Sequence, residues 1–134
     1  MNELKKHLGD NKEKITKAKN IMHAAEAILQ KEKGDWHIII PSAIIYEVDI
    51  VLAQKMLLAC GLKKDDMDEM LNNVKSVATN ETTDSSNINI LFDAVWLTKI
   101  KAEFQKLTAE SLKTAIDKTF RTPTAKSLAT QRII

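Results

Sequence analysis

His23-Ala-Ala-Glu26 places a histidine and a carboxylate three residues apart, the spacing at which two metal ligands project from one face of a helix. A di-metal site in a helical bundle needs at least two such pairs and further carboxylates. The predicted helices contain one such pair, and a helical wheel puts His23 on the polar side, beside Lys19. The pattern therefore indicates a solvated surface pair, and we expect no metal ion.

Nucleophiles and cofactor loops are equally scarce. Cys60 is the single cysteine, ends an apolar segment and has no histidine near it in the sequence, so we expect a buried, unreactive thiol. No serine lies in a Gly-x-Ser-x-Gly turn. Three glycines are too few for a loop that cradles phosphates. We therefore expect no catalytic residues and no cofactor, and we predict that the protein is not an enzyme.

Asp49 is the polar residue that fits its predicted surroundings least. If residues 42–60 form one helix, Asp49 lies between Met56 and Cys60 on its apolar side. A carboxylate buried there needs a partner, because an unpaired buried charge is costly. A lysine or the indole N–H of Trp36 is a suitable partner, while exposure at a helix crossing and contact with a ligand are the alternatives. We predict that Asp49 is a buried polar residue with a structural role.

The net charge of +2 conceals a strong asymmetry along the chain. Residues 1–33 carry +3, residues 34–98 carry −6 and residues 99–134 carry +5. Charges at the two ends and in the middle can cancel within the fold, or the basic C-terminal third can attract an acidic partner. We predict that a protein partner binds to basic residues of this third, which are Lys99, Lys106, Lys113, Lys118 and Arg121.

Binding to nucleic acid is the alternative function for the basic ends of the chain. The turn Gly61-Leu62-Lys63-Lys64 resembles that of a helix-turn-helix, but the following helix opens with Asp65, Asp66, Asp68 and Glu69, which phosphates repel. Aromatic platforms for single strands are also missing among the C-terminal cations, since the two phenylalanines there fit the predicted core. Nucleic acid therefore ranks second to protein as the expected partner.

Capping residues and hydrophobic periodicity predict the elements that position these residues. Asp10-Asn-Lys-Glu13 is a capping box, Gly34 suits a left-handed helix end, and Thr108 suits an N-cap. Pro41 favours an extended segment or short strand at 36–40, which could pair with 87–91 in a small ribbon. The predicted helices are a short one at 2–8, then 11–33, 42–60 as the most buried one, about 65–78, 88–107 and 108–121. They form a single domain, 1–121, followed by a partly flexible tail, 122–134, with at most one helical turn.

The amino-acid composition indicates the class of protein. Apolar residues make up 44% of the 134, charged residues 28%, and glycine and proline together only five, which excludes disordered and low-complexity chains. Pro41, Glu47, Asp49 and Lys55 interrupt the longest apolar region, so no membrane span is expected. No signal peptide pattern is present, which favours the cytoplasm, and the excess of lysine over arginine suggests a low-GC source. We expect a compact all-α bundle of about five helices that acts as a non-enzymatic adaptor, inhibitor or assembly protein, its oligomeric state left open.

Overall fold

Seven α-helices make up most of the residues that the computed structural model describes, which are 12–81 and 83–133, excluding the side chains of residues 101 and 133. Over these ranges no β-strand is found, so the predicted all-α bundle is confirmed, with more helices than expected and without the ribbon. The predicted helix at 2–8 lies outside the described residues. The helices are α1 Lys12–Leu29, α2 Trp36–Ile45, α3 Ile50–Ala59, α4 Lys64–Ala78, α5 Ser86–Glu103, α6 Ala109–Thr119 and α7 Pro123–Ile133.

Helix α5 is the centre of the bundle. It begins at the N-cap Ser85, whose hydroxyl accepts a hydrogen bond from the backbone N–H of Ile88 at 3.4 Å. Helices α1, α2, α4 and α7 all pack against it. The prediction that the 42–60 segment is the most buried element is therefore wrong, because α5 is apolar on more of its surface. Its buried apolar residues are Ile88, Ile90, Leu91, Phe92, Ala94, Val95, Leu97 and Ile100.

The segment predicted to be extended, 36–40, is the first half of α2. Pro41 lies inside this helix, where it removes one backbone donor, and the buried Ser42 hydroxyl donates to the carbonyl of Ile38 at 2.7 Å. Ile38 and Ile39 are each 1% exposed, since α2 packs against α1, α4 and α5. Burial of these side chains outweighs the local preference that proline imposes on its predecessor.

The predicted helix 42–60 is two helices in the structure. Helix α2 ends at Ile45, and α3 begins at Ile50 after a turn. The residue between them that caps α3 is Asp49, whose Oδ1 accepts from the backbone N–H of Val51 at 2.9 Å. Since the chain changes direction here, a wheel drawn through both helices does not describe their faces.

Gly34 has a different role from the one predicted. Helix α1 ends at Leu29, and the described glycine with a positive φ is Gly61, at 72° in the turn between α3 and α4. A Cβ added to Gly34 would lie 2.7–2.9 Å from side-chain carbons of Ile39, Ile90 and Leu29. A glycine is therefore required at position 34 because α2 and α5 approach closely there. It is not required by the backbone conformation.

Most of the predicted tail forms α7. Thr122 precedes it, and its hydroxyl accepts from the backbone N–H of Ala125 at 3.2 Å, while Pro123 occupies the first helical position. Ala125 and Ala129 are fully buried, which lets α7 lie close to α5. A Thr-Pro pair that ends one helix can thus also begin the next. The division into a domain 1–121 and a flexible tail stays a prediction.

Candidate functional site

Three of the predicted partner-binding lysines, Lys106, Lys113 and Lys118, are exposed, the last two on α6. Lys99, on α5, is also exposed, and its ammonium lies 5.9 Å from the centre of the Trp96 ring, within range of a cation–π interaction. The structure thus leaves these four cations accessible from solvent. Acidic residues are interspersed with those of α6, at Glu110 and Asp117.

Arg121, the fifth predicted residue, is engaged within the fold. Its guanidinium stacks 3.7 Å from the centre of the Phe92 ring and donates to Asn89 Oδ1 at 3.1 Å and to Asn80 Oδ1 at 3.2 Å. Asn80 itself has a positive φ of 56°, which asparagine tolerates better than most residues. These contacts join the α6–α7 connection to α5 and to the end of α4, so Arg121 has a structural role that the sequence did not predict.

Asp93 holds the same connection from inside the bundle. This fully buried carboxylate accepts from the backbone N–H of Arg121 at 2.9 Å, and from the backbone N–H and hydroxyl of Thr122, both at 2.7 Å. Burial raises the pKa of Asp93 above its ordinary value, and these hydrogen bonds and the Arg121 charge oppose the rise. Among the described residues the buried carboxylate is therefore Asp93, and its donors are two backbone N–H groups and the Thr122 hydroxyl.

Asp49, the predicted buried polar residue, is exposed. The prediction is wrong because Asp49 stands at the N-cap of α3 and not within a continuous helix, so its carboxylate meets solvent and the Val51 N–H. The expectation for Cys60 is also wrong, since this thiol at the end of α3 is exposed. Both errors have the same origin, the assumption of one buried helix over residues 42–60.

His23 and Glu26 form the expected surface pair, with 3.5 Å between Nδ1 and Oε1 and with side chains 67% and 41% exposed. Over the described ranges, no group of three or more histidine, cysteine or acidic side chains is arranged to hold a metal ion. An open hollow of about 390 Å³ lies beside His23, between α1, α5 and α7, and Thr98 and Arg132 also line it. Arg132 there donates to the Leu97 carbonyl at 3.4 Å.

One helix exposes an apolar surface. On α3, Ile50 and Val51 are each 57% exposed and Leu58 is 65% exposed, and together with Gln54 they occupy about 100° of the helix circumference. We call these four residues the α3 face. A neighbouring side of α3 is buried in the bundle through Ala53, Met56 and Leu57. Helix α3 is thus apolar on two sides, of which one packs inside and one faces solvent.

A small apolar groove adjoins the α3 face, between α3 and α4. It encloses about 210 Å³ and has Ile50 at its edge, where the α3 face begins. Its walls come from the end of α2, the turn that follows, α3 and α4, so three helices fix its shape. Its lining is aliphatic apart from one lysine and consists of Ile45, Val48, Ile50, Ala53, Leu71, Val74 and Lys75.

Sequence reasoning missed the α3 face although its signal is present. The wheel drawn over residues 42–60 is apolar on most sides, and we interpreted this excess as complete burial. The same excess is expected of a helix that is half buried and half committed to a partner, because both sides then need apolar residues. Two capping signals, at Asp49 and Gly61, mark how short the helix is.

None of the described helices has the length and apolar character needed to cross a bilayer. The chain matches no protein-family model, no curated protein and no solved structure.

Proposed function

We propose that the protein is a non-enzymatic protein-binding module, of the adaptor, inhibitor or assembly type, and that it binds its partner through the α3 face. The observation that carries this proposal is the distribution of exposed apolar side chains. Of the five large hydrophobic residues that are exposed over the described ranges, three lie within the ten residues of α3. Scattered exposed hydrophobics are normal on a soluble protein, whereas clustering on one helix is typical of an interaction surface.

Energetics favour the same face. Burying an exposed aliphatic side chain completely is worth about 1.5–3 kcal/mol, so three neighbouring ones supply a central apolar anchor for a complex. The groove beside Ile50 gives a partner's side chain somewhere to insert. A helix with an adjoining aliphatic groove is also the surface that an amphipathic helix of a partner fits.

The exposed lysines supply a second, weaker contribution. Lys106, Lys113 and Lys118 are accessible, and they would speed the approach of an acidic protein surface in a salt-dependent manner. Arg121 is left out of this set, because its guanidinium already serves Phe92 and Asn89. We therefore place affinity at the α3 face and electrostatic steering at the basic residues.

Nucleic acid is the alternative partner. It would use the same lysines, but the interspersed acids Glu110 and Asp117 reduce the positive field there. The Arg121 guanidinium is held by Asn89 and Asn80, which leaves it less free to contact a phosphate. The affinity of duplex DNA, single-stranded DNA and RNA for the purified protein, titrated at several salt concentrations, tests this alternative directly. Micromolar or tighter binding at about 0.15 M salt would favour it over a protein partner.

The test of the proposal compares two substitutions of the same chemical kind. Val51→Asp places a charge in the centre of the α3 face, whereas Leu107→Asp places one at an exposed leucine before α6. Each tagged variant is used to capture proteins from cells of the source organism, and captured proteins are quantified against the unsubstituted chain. We expect Val51→Asp to lose the specific partner by at least tenfold and Leu107→Asp to retain it. Equal capture by both variants would contradict the proposal.

A further inference from the structure

We propose that the hollow between α1, α5 and α7 is a binding site for a small organic phosphate. None of the described residues that line it belongs to α3, so the site is independent of the proposed protein-binding function. Three observations support the proposal: hydrogen-bond donors from α1 and α7 border the hollow, its floor is aliphatic, and these two helices are basic.

The hydrogen-bond donors come from two helices. Asn20 and His23 lie about one turn apart on α1, and Arg132 lies in the last turn of α7. The Arg132 guanidinium donates to the Leu97 carbonyl at 3.4 Å, which holds the cation at the hollow and leaves its other N–H groups for a ligand. His23 meets Glu26 through Nδ1, at 3.5 Å, so Nε2 remains for a ligand. A phosphate group suits donors on different helices, because its oxygens point to the corners of a tetrahedron, whereas a carboxylate presents two oxygens in one plane.

The floor of the hollow comes from α5 and is mostly aliphatic. Leu97 and Ile100 line it, and each is almost fully buried, so the floor is held in place by the bundle. The Thr98 hydroxyl donates to the Val95 carbonyl at 2.6 Å, so toward a ligand it acts as an acceptor. The volume of about 390 Å³ falls in the range of small-molecule sites, about 300–1,000 Å³, and a bare phosphate ion would leave most of it to water. The ligand therefore carries an organic group that packs on the leucine and isoleucine.

The two helices that supply the donors are basic. Counted over their sequences with histidine neutral, α1 and α7 each carry a net charge of +2, and α7 contains no acidic residue. Helix α5 is neutral, and one of its two acids, Asp93, is buried elsewhere in the bundle. Because α1 belongs to the basic first part of the chain and α7 to its basic last part, the two basic ends of the sequence meet at this hollow. This is the field that attracts an anion.

The acidic residues of these helices do not cancel that field. Glu13 pairs with Lys17 at 3.5 Å, and Glu26 contacts His23. Glu103 is exposed at the end of α5, about one turn beyond the floor. None of the three carboxylates lines the hollow, whose described lining residues include no acid. The charge that borders the hollow is therefore positive.

The first experiment titrates the isotope-labelled protein with phenyl phosphate at low salt and follows its backbone amides by NMR. We expect saturable shifts at Asn20, His23 and Thr98, with a dissociation constant of about 1 mM or below. Benzoate has the same ring with a carboxylate in place of the phosphate, and we expect it to bind about tenfold more weakly. Inorganic phosphate should shift the same amides at lower affinity, because it lacks the ring that packs on the floor. The absence of saturable shifts at these amides, or equal affinity for benzoate and phenyl phosphate, would overturn the inference.

The second experiment compares substitutions that remove the same charge from the same helix. Arg132→Gln removes the guanidinium from the hollow and should weaken phenyl phosphate binding by about tenfold or more. Lys126→Gln is the matched control, since Lys126 lies on α7 but does not line the hollow, and it should stay within about twofold. Arg132→Lys keeps the charge without the planar fork and should fall between the two. Equal weakening by Arg132→Gln and Lys126→Gln would show that the general charge of α7 attracts the anion, and would overturn the site.

A third set of variants tests whether both helices take part. His23→Phe keeps an aromatic ring and removes the donor on α1, so phenyl phosphate should bind about threefold or more weakly. Both His23 and Arg132 are exposed, so these variants should keep the fold, which their NMR spectra verify. Val51→Asp, on the α3 face, should bind phenyl phosphate like the unsubstituted chain, which separates this test from that of the proposed function. Unchanged binding by His23→Phe, or loss of binding by a folded Val51→Asp, would overturn the placement of the site in the hollow.

Discussion

Asp93→Ala should destabilise the fold strongly, because it removes the acceptor of three hydrogen bonds inside the bundle. The Thr122 hydroxyl keeps a role, since it accepts from the Ala125 N–H, but the backbone N–H groups of Arg121 and Thr122 lose their acceptor. Each stranded buried donor costs about 1–3 kcal/mol. Removing a buried charge returns part of this, so we expect a net loss of about 3 kcal/mol in the free energy of unfolding.

Urea unfolding measures this loss from the shift in midpoint at an unchanged slope. Asp93→Asn keeps one carbonyl acceptor and should lose only about 1–2 kcal/mol, and the control Asp117→Ala, on the exposed side of α6, should stay within about 0.5 kcal/mol. Amide hydrogen exchange at Arg121 and Thr122 should accelerate in Asp93→Ala. A loss below about 1 kcal/mol for Asp93→Ala would show that these bonds do not hold α7 to α5.

Four further outcomes follow from the same structure. Burial raises the pKa of Asp93, so the folded state binds its proton more tightly than the unfolded state does. The stability of the unsubstituted chain relative to Asp93→Asn should therefore fall as pH rises through the folded-state pKa of Asp93. A difference in stability that stays constant from about pH 3 to 7 would contradict this. Gly34→Ala should cost about 1–3 kcal/mol by urea unfolding, because its Cβ would meet three side-chain carbons within 3 Å. Arg121→Glu should lower the thermal midpoint by several degrees while Lys113→Glu leaves it unchanged, since only the former removes contacts to other residues. Asn73→Leu should preserve or raise stability by up to about 1 kcal/mol, because the buried Asn73 amide nitrogen has no hydrogen-bond partner.

Much of the second half of the fold could be predicted from local signals. Hydrophobic periodicity predicted a helix over 88–107, which corresponds to α5, and Thr108 caps α6 as expected, through its contact with the Ser111 N–H. These features depend on neighbours within one or two turns of the chain. Their boundaries differ from the predicted ones by a few residues, which is normal where helix ends fray.

The first half shows where local rules were insufficient. Pro41 argued for an extended 36–40, but the burial of Ile38 and Ile39 against three other helices decides the conformation there. No local signal reveals that burial, because the residues that provide it lie on helices distant in the sequence. The same applies to Arg121, whose partners Asn89 and Asn80 are 32 and 41 residues away.

The candidate site was predictable only in its polar part. The four predicted lysines Lys99, Lys106, Lys113 and Lys118 are exposed as their positions suggested, because a charged residue beside a core stripe has solvent as its natural surrounding. The α3 face could not be predicted in this way, since an exposed isoleucine and a buried isoleucine look the same in a sequence. Interpreting Asp49 as the N-cap of a short helix would have revealed the α3 face. We interpreted it instead as a polar residue within a long helix.

The contacts of α1 have a consequence for synthesis on the ribosome. Helix α1 packs on α5 and on α2, and just beyond α1 the carboxylate of Glu32 accepts hydrogen bonds from the N–H and hydroxyl of Thr124, 92 residues later. Helix α5 begins 57 residues after the end of α1, so at usual elongation rates roughly 3–11 s pass before α5 starts to be made, much longer than the microseconds in which a helix forms. During that time α2, which follows α1 directly, can cover one part of the apolar side of α1, but the part that packs on α5 stays uncovered. That interval is when a chaperone or a neighbouring nascent chain would meet it.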